Sequence, residues 1–293
     1  MRAAVLGATG FVGRALVPAL AKRGEVAAVS RRATAPELPG VRSIAADLTD
    51  GESTRGALEG VDVAYHLVHS LGARNFSELD RRAAENVAAE AERAGVGQIV
   101  YLGGLGDDAA GLSAHLRSRT ETGAVLSSGA VPVTTLRAAV VVGRGSAAFE
   151  TIVALVDRLP VMVAPRWVST PTQPIALTDM ISYLTGVAGR TEALGESFDV
   201  GGPDVITYGE MIQRIAQLRG KRPLIVKVPV LSPRLSSYWL HLVTPVGASV
   251  ARPLVEGLRN PTIARDDRIR RPAPVPPHEL RRRRSGRARR SAR

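Results

Sequence analysis

The chain has no cysteine. That absence excludes disulfides, thiol catalysis and cysteine-ligated metal, and nothing left requires an oxidising compartment. Histidine is scarce too: there are five, none at a metal-ligand spacing. His66 and His69 are three apart in a strand-like run, so they point to opposite faces and make no metal pair. No uninterrupted apolar run approaches the ~18 residues of a membrane helix. Acidic residues are outnumbered, 27 against 39 Lys and Arg, for a net charge of +12. Most of that excess is local. Residues 270–293 hold ten Arg and one Glu, a net +9, which leaves +3 for the 269 residues before them. The basic balance describes one end of the chain rather than a binding face, and does not argue for nucleic acid.

What remains is globular in composition, 45% hydrophobic and 23% charged over 293 residues, enough for one core with or without an added lobe. The chain is organised around its start. Residues 2–6 read as a buried strand. Gly7, Ala8, Thr9, Gly10, Phe11, Val12 and Gly13 follow at once, before a helix expected from Arg14. Gly7 allows the tight turn out of the strand, Gly10 a close backbone approach to a pyrophosphate, and Gly13 the packing of helix on sheet. The helix N-terminus then faces the phosphates. Strand before and helix after make this a folded unit rather than a signal sequence. The spacing predicts a dinucleotide site.

A second strand, residues 25–30, ends in Ser30, Arg31 and Arg32. A unit built for NAD carries Asp or Glu here, on the ribose 2′-hydroxyl. Guanidinium groups instead clamp a 2′-phosphate. NADP(H) is therefore expected, with NAD(H) the open alternative. A third strand ends at Asp47 and Leu48, placed to meet the adenine amino group and ring; a plain turn aspartate is the other reading. Strands and helices alternate as far as residue 143, which predicts a doubly wound parallel sheet. Strands are expected at 61–68, 98–102 and 131–142, and helices at 74–94 and 113–128. Pro18 should kink the first helix. After residue 143 the pattern turns irregular. Thr207 and Glu210 form a capping box for a helix over 207–219. Residues 234–258 are apolar. A helix covering the substrate cleft is the expectation there; membrane-surface contact or a dimer face are the alternatives.

By these segments the sequence resembles the atypical short-chain dehydrogenase/reductase superfamily. The NmrA-like group and bacterial YbjT-like NAD(P)-binding proteins are the most similar. The glycine run 7–13 is shared superfamily-wide; residues 65–70, 115–119, 136–150, 165–168 and 174–177 are more particular. The resemblance covers about residues 1–270. It implies an NAD(P)-binding Rossmann-type fold and puts His69 among the cofactor-binding residues. Typical members carry Tyr-x-x-x-Lys on the helix after strand five, and a Ser at that strand's end. Here the helix has His115 and Arg119, the strand ends in Gly103 and Gly104, and no Tyr lies between Tyr101 and Tyr183. One turn apart, His115 and Arg119 share a face. His115, at an ordinary pKa near ~6.5, is the expected proton donor, and Arg119 the ribose anchor. A charged, solvent-facing turn is the other reading.

Relatives often continue into an α+β domain. This chain ends in a Pro- and Arg-rich stretch that cannot form a core. A truncated or frame-shifted end fits it better than a nucleic-acid or lipid tail, and residues 271–293 are expected to be disordered and dispensable. The expected fold is α/β, a doubly wound parallel Rossmann-type sheet with a small C-terminal lobe. Residues 1–143 form the dinucleotide core, 144–270 the last strands and substrate lobe. The expected function is an NADP(H)-dependent oxidoreductase of the cytoplasm acting on a small carbonyl, quinone or enone. A dinucleotide sensor without turnover is the competing class, and isomerase-like chemistry a third. Substrate, protein partner and oligomeric state stay unassigned.

Overall fold

The computed structural model describes residues 1–33, 37–106, 111–164, 166–228 and 257–273. The first half runs β1 (Ala3–Leu6), α1 (Phe11–Ala21), β2 (Val26–Ser30), β3 (Val41–Ala45), α2 (Gly51–Thr54), β4 (Val63–His66), α3 (Phe76–Arg93), β5 (Gln98–Gly104), α4 (Ala114–Ser127) and β6 (Val133–Ala138). The second half runs β7 (Val141–Val142), α5 (Ala147–Arg158), β8 (Val161–Ala164), β9 (Pro171–Thr172), β10 (Ile175–Ala176), α6 (Leu177–Gly186), β11 (Ser197–Val200), β12 (Ile206–Thr207), α7 (Tyr208–Leu218) and β13 (Leu224–Lys227).

Seven strands form one sheet in the order β11-β6-β5-β4-β1-β2-β3, and every pairing in it is parallel. The chain starts in the middle of the sheet, moves out through β2 and β3, and returns to β4 on the other side. The two halves thus part between β1 and β4, where ligands bind in open α/β sheets. Side-chain alternation builds a core on each face. Ala3 and Val5 turn toward Leu16, Val17 and Leu20 of α1 and Met180 and Leu184 of α6. Ala4 and Leu6 turn toward Ala83, Val87 and Ala91 of α3 and Leu126 of α4. Small residues on α3 let it lie close to the sheet. A third cluster, with Leu155, Met162, Val168, Tyr208, Met211 and Ile215, holds the second half together. That region adds three two-stranded sheets, β10-β7, β12-β9 and β13-β8.

Several boundaries differ from the sequence expectation. Helix α1 starts at Phe11, not Arg14, because Gly10 is its N-cap, and it continues through Pro18. The expected strand 131–142 is two: β6 stays in the main sheet, while β7 leaves it to pair with β10. The capping box of Thr207 and Glu210 is present at α7. The fold also reaches past the expected boundary at residue 270. Ala273 is 2% exposed, and a Cβ on Gly186 would lie 2.7 Å from the Ala273 Cβ. Residues 274–293, most of the expected tail, and most of the apolar stretch 234–258 lie outside the described residues. Among the described residues no helix is long and apolar enough to cross a membrane.

Candidate functional site

The residues singled out from the sequence fall along one edge of the sheet, at the carboxyl ends of β1 to β5. At β1 the chain turns through Gly7, whose φ of +91° suits glycine alone. The amides of Gly7 and Ala8 both donate to the Val29 carbonyl. Gly13 is a steric necessity: a Cβ there would stand 2.3 Å from the Gly7 oxygen and 2.8 Å from the Ala8 Cα. Gly10 is different. A Cβ there would meet only the Gly7 oxygen, at 3.2 Å, so it would project into open space beside the helix N-terminus. No side chain caps α1, which leaves its first-turn amides for a ligand. The Phe11 ring packs near Gly143 and Gly145, and Val12 against the α1-side core. Thr9 is half-buried beside them. This cradle, with a bare backbone at Gly10, fits a dinucleotide pyrophosphate.

At β2 the Ser30 hydroxyl donates to the Arg32 carbonyl at 2.5 Å, and both Arg31 and Arg32 are exposed. Asp47, at the end of β3, is exposed but engaged. Its Oδ1 accepts from the Thr49 hydroxyl at 2.8 Å and the Thr49 amide at 3.0 Å. These bonds, with Arg31 and Arg82 nearby, hold its carboxyl below the usual range. Leu48 is 5% exposed and belongs to the core, so it offers no free face to an adenine ring. Its expected ring contact is corrected: the turn that Asp47 makes points Leu48 inward.

The chemistry-bearing residues gather at β4, β5 and α4. His66 ends β4 and is 1% exposed, its ring 5.8 Å from that of Tyr101. His69 follows in the loop, open to solvent. The loop is pinned by Asp80, whose Oδ1 accepts from the Ser70 amide at 2.6 Å and whose Oδ2 accepts from the Ser118 hydroxyl at 3.3 Å. Burial pushes the Asp80 carboxyl up, against those bonds and Arg119. His115 is half-buried on the first turn of α4, which Ser113 caps. Arg119 is only 8% exposed. Its Nη2 donates to the Leu102 carbonyl, its guanidinium lies 5.1 Å over the Tyr101 ring, and the Tyr101 hydroxyl donates back to the Arg119 carbonyl at 2.8 Å. The Arg119 Nη1 is buried with no partner, as is the His66 Nδ1.

Desolvation, reinforced by the Arg119 charge, pushes His66 and His115 down to about 3 and shifts the more open His69 in the same direction. All three imidazoles are neutral at pH 7. The expectation that His115 holds a proton ready at an ordinary pKa is therefore corrected: a neutral imidazole donates a hydrogen bond but carries no spare proton. Arg119 is not a solvent-facing turn residue; it is built into the junction of β5 and α4. Sequence reading missed Tyr101 and Asp80. The signal for Asp80 was available, because it stands on the buried stripe of α3 with Ala83, Ala84, Val87 and Ala91, where a carboxylate needs partners. Among the described residues no three side chains converge to hold a metal ion.

Residues 7–140 match the family model described as NAD(P)H-binding. The matched part, a little under half of the chain, is the part that carries the glycine cradle. The whole chain shares its fold with a nucleoside-diphosphate-sugar epimerase of Staphylococcus aureus. The TM-score is 0.77 at 17% identity, over 96% of this chain and 98% of that one. Among curated proteins it is similar to subunit 9 of the NADH dehydrogenase [ubiquinone] 1 alpha subcomplex, mitochondrial, from Arabidopsis thaliana. Identity there is 25% over 78% of this chain and 60% of that protein. It is also similar to 2-alkyl-3-oxoalkanoate reductase from Stenotrophomonas maltophilia, 33% identical over 34% of this chain and 32% of the reductase. The match thus spans less than two thirds of either relative's length.

Proposed function

We propose that the chain is an NADP(H)-dependent oxidoreductase of the short-chain dehydrogenase/reductase superfamily, of the NmrA-like kind, acting on a small carbonyl, quinone or enone. The observation that carries this reading is one continuous edge. It joins the bare cradle at Gly10, the two exposed arginines after β2, and the His69, His115 and Arg119 group beyond β4 and β5. Residues 7–13 would hold the pyrophosphate, Arg31 and Arg32 a 2′-phosphate, and the Arg119 Nη1 the nicotinamide ribose. The bound dinucleotide supplies or accepts a hydride. His115 polarises the substrate oxygen as a neutral hydrogen-bond donor, and the proton comes from solvent, to which His69 is open. One relative is named as a reductase of a 3-oxoalkanoate, a carbonyl compound, which supports this class.

A dinucleotide-binding sensor is the second reading. The neutral state of His115 favours it, since no strong acid stands in the register where the superfamily places tyrosine. NADPH oxidation against a panel of quinones, enones and aldehydes separates the two. Turnover that falls roughly 10²–10⁴-fold in His115→Ala, with dinucleotide affinity kept, supports the oxidoreductase. Tight NADPH binding with no turnover on any member of the panel supports the sensor.

A further inference from the structure

Strands β8 and β13 form a parallel pair, and parallel sheets are ordinarily covered on both faces. Here only one face is covered among the described residues. Met162, Ala164 and Ile225 turn inward to the third core cluster. The alternate positions turn outward. All four are apolar: Val161, Val163, Leu224 and Val226 are 40% to 61% exposed. Val161 stands opposite Leu224, and Val163 opposite Val226, on strands about 5 Å apart. They are four of the eight large apolar side chains exposed among the described residues. Scattered singly, such residues mean little; gathered on one face, they mark an interaction surface.

The face ends on a basic rim. The segments that lead into the two strands, residues 156–160 and 218–223, hold Arg158, Arg219, Lys221 and Arg222 against one acid, Asp157, a net +3. Arg219 grips that carboxylate with two hydrogen bonds of 2.6 Å, and Lys221 donates to the Asp157 carbonyl at 2.7 Å. Both segments line a cavity of about 290 Å³, with Leu159, Pro160, Lys221, Arg222 and Pro223 in its wall. The strands start from its edge, where the Leu224 amide donates to the Pro160 carbonyl at 2.9 Å. A cationic hollow thus adjoins an apolar face.

We infer that this corner docks on an anionic lipid surface, with the four side chains entering the acyl boundary and Lys221 and Arg222 meeting the phosphate headgroups. Charge selects this occupant. A second copy of the chain would bring the same positive rim to a two-fold contact. The chain's own apolar stretch brings no surplus of acid, since residues 229–256 hold two Arg and one Glu. An anionic bilayer answers both the apolar face and the charge beside it.

Sedimentation of the full chain with lipid vesicles is the test. Vesicles of equal parts phosphatidylglycerol and phosphatidylcholine should bind it at least roughly tenfold more tightly than phosphatidylcholine alone. Leu224→Gln should weaken binding to the anionic vesicles at least roughly tenfold, because it removes the most exposed side chain of the face. Arg222→Gln should weaken it about fivefold. Without vesicles both variants should melt like the wild type, since both residues are exposed. If Leu224→Gln does not fold, Val163→Ser takes its place. The Arg-rich end of the chain also attracts anionic lipid, but it is the same in every variant. Face variants that keep wild-type affinity therefore overturn the inference. So does equal binding to both kinds of vesicle, or binding to neither. A large fall in the melting temperature of Leu224→Gln without vesicles overturns it as well, because the chain then covers the face itself. A dimer in solution that Leu224→Gln splits does the same, because the face then belongs to a second copy.

Discussion

Gly10 and Gly13 stand three residues apart in one motif, yet alanine at each should do a different thing. At Gly13 the new methyl would stand 2.3 Å from a backbone oxygen and 2.8 Å from a backbone carbon. Neither can rotate away, so the loop and helix must separate. Overpacking of this kind costs up to about 3 kcal/mol, and the helix propensity of alanine returns at most about 1. The net loss is about 2 kcal/mol, or a melting temperature lower by about 4–8 °C for a chain of this size. At Gly10 the φ of −73° is open to alanine, and the methyl touches only the Gly7 oxygen at 3.2 Å. Stability should stay within about 0.5 kcal/mol, the usual range for a harmless exposed change. Dinucleotide affinity should not survive, because the methyl fills the cradle. Loss of one charge-assisted contact to the helix amides is worth about 1.5–3 kcal/mol, roughly ten- to a hundredfold in Kd. Thermal melting without cofactor and NADPH titration by fluorescence read the two effects separately. A Gly10→Ala protein that melts as low as Gly13→Ala, or that binds NADPH like the wild type, refutes the reasoning.

Arg31→Asp should reverse or abolish a preference for NADPH over NADH of about ten- to a hundredfold; equal affinities in the wild type would remove the basis for it. Deleting residues 274–293 should leave melting temperature and cofactor affinity unchanged. Deleting from Arg268 should lower the melting temperature, since that removes its bonds to Glu196 and the Ser197 carbonyl and the buried Ile269 and Ala273. Stability should also fall as pH drops from about 6.5 toward 4. The His66 and His115 pKa values of the folded state lie near 3, below the unfolded value, so the unfolded chain binds more protons in that window. His66, fully enclosed, sets the slope at up to about 1.4 kcal/mol per pH unit. Asp80, pushed up by burial, works in the opposite sense. Melting curves between pH 7 and 5 should flatten in His66→Phe; an unchanged slope would exonerate the histidine.

The sheet was legible because its signals are local. The apolar runs of β1, β2 and β5, the glycine spacing, and the small-residue stripe of α3 each follow from a handful of neighbouring residues. The alternation of strands and helices implied a parallel sheet with one carboxyl edge, whereas the order of strands along it comes from the structure. Side-chain chemistry was less legible, because it depends on what lies behind each residue. Arg119 looks like one of several charges on a polar helix; only the packing of α4 on β5 shows that it is turned inward. Leu48 looks like a ring-facing apolar residue until the Asp47 turn points it into the core. His115 carries no mark in sequence of the burial that, with the Arg119 charge, holds it neutral.

The departure from Tyr-x-x-x-Lys is not an isolated pair of substitutions. The Tyr101 ring occupies the space that side chains at Gly103 and Gly123 would need: a Cβ at either would stand 3.2 Å from its Cε1. That ring is the platform for the Arg119 guanidinium. A Cβ at Gly104 would approach Leu116 to 3.0 Å and the Arg119 Cβ to 3.6 Å, so the strand end is bare because the helix lies flush against it. A serine at either glycine would crowd the stack or lift the helix. Lysine at 119 would keep a charge but lose the planar group that lies on the tyrosine. The two glycines, Tyr101 and Arg119 thus form one packed unit. His115 and His69 stand in the field of the cation that this unit holds in place.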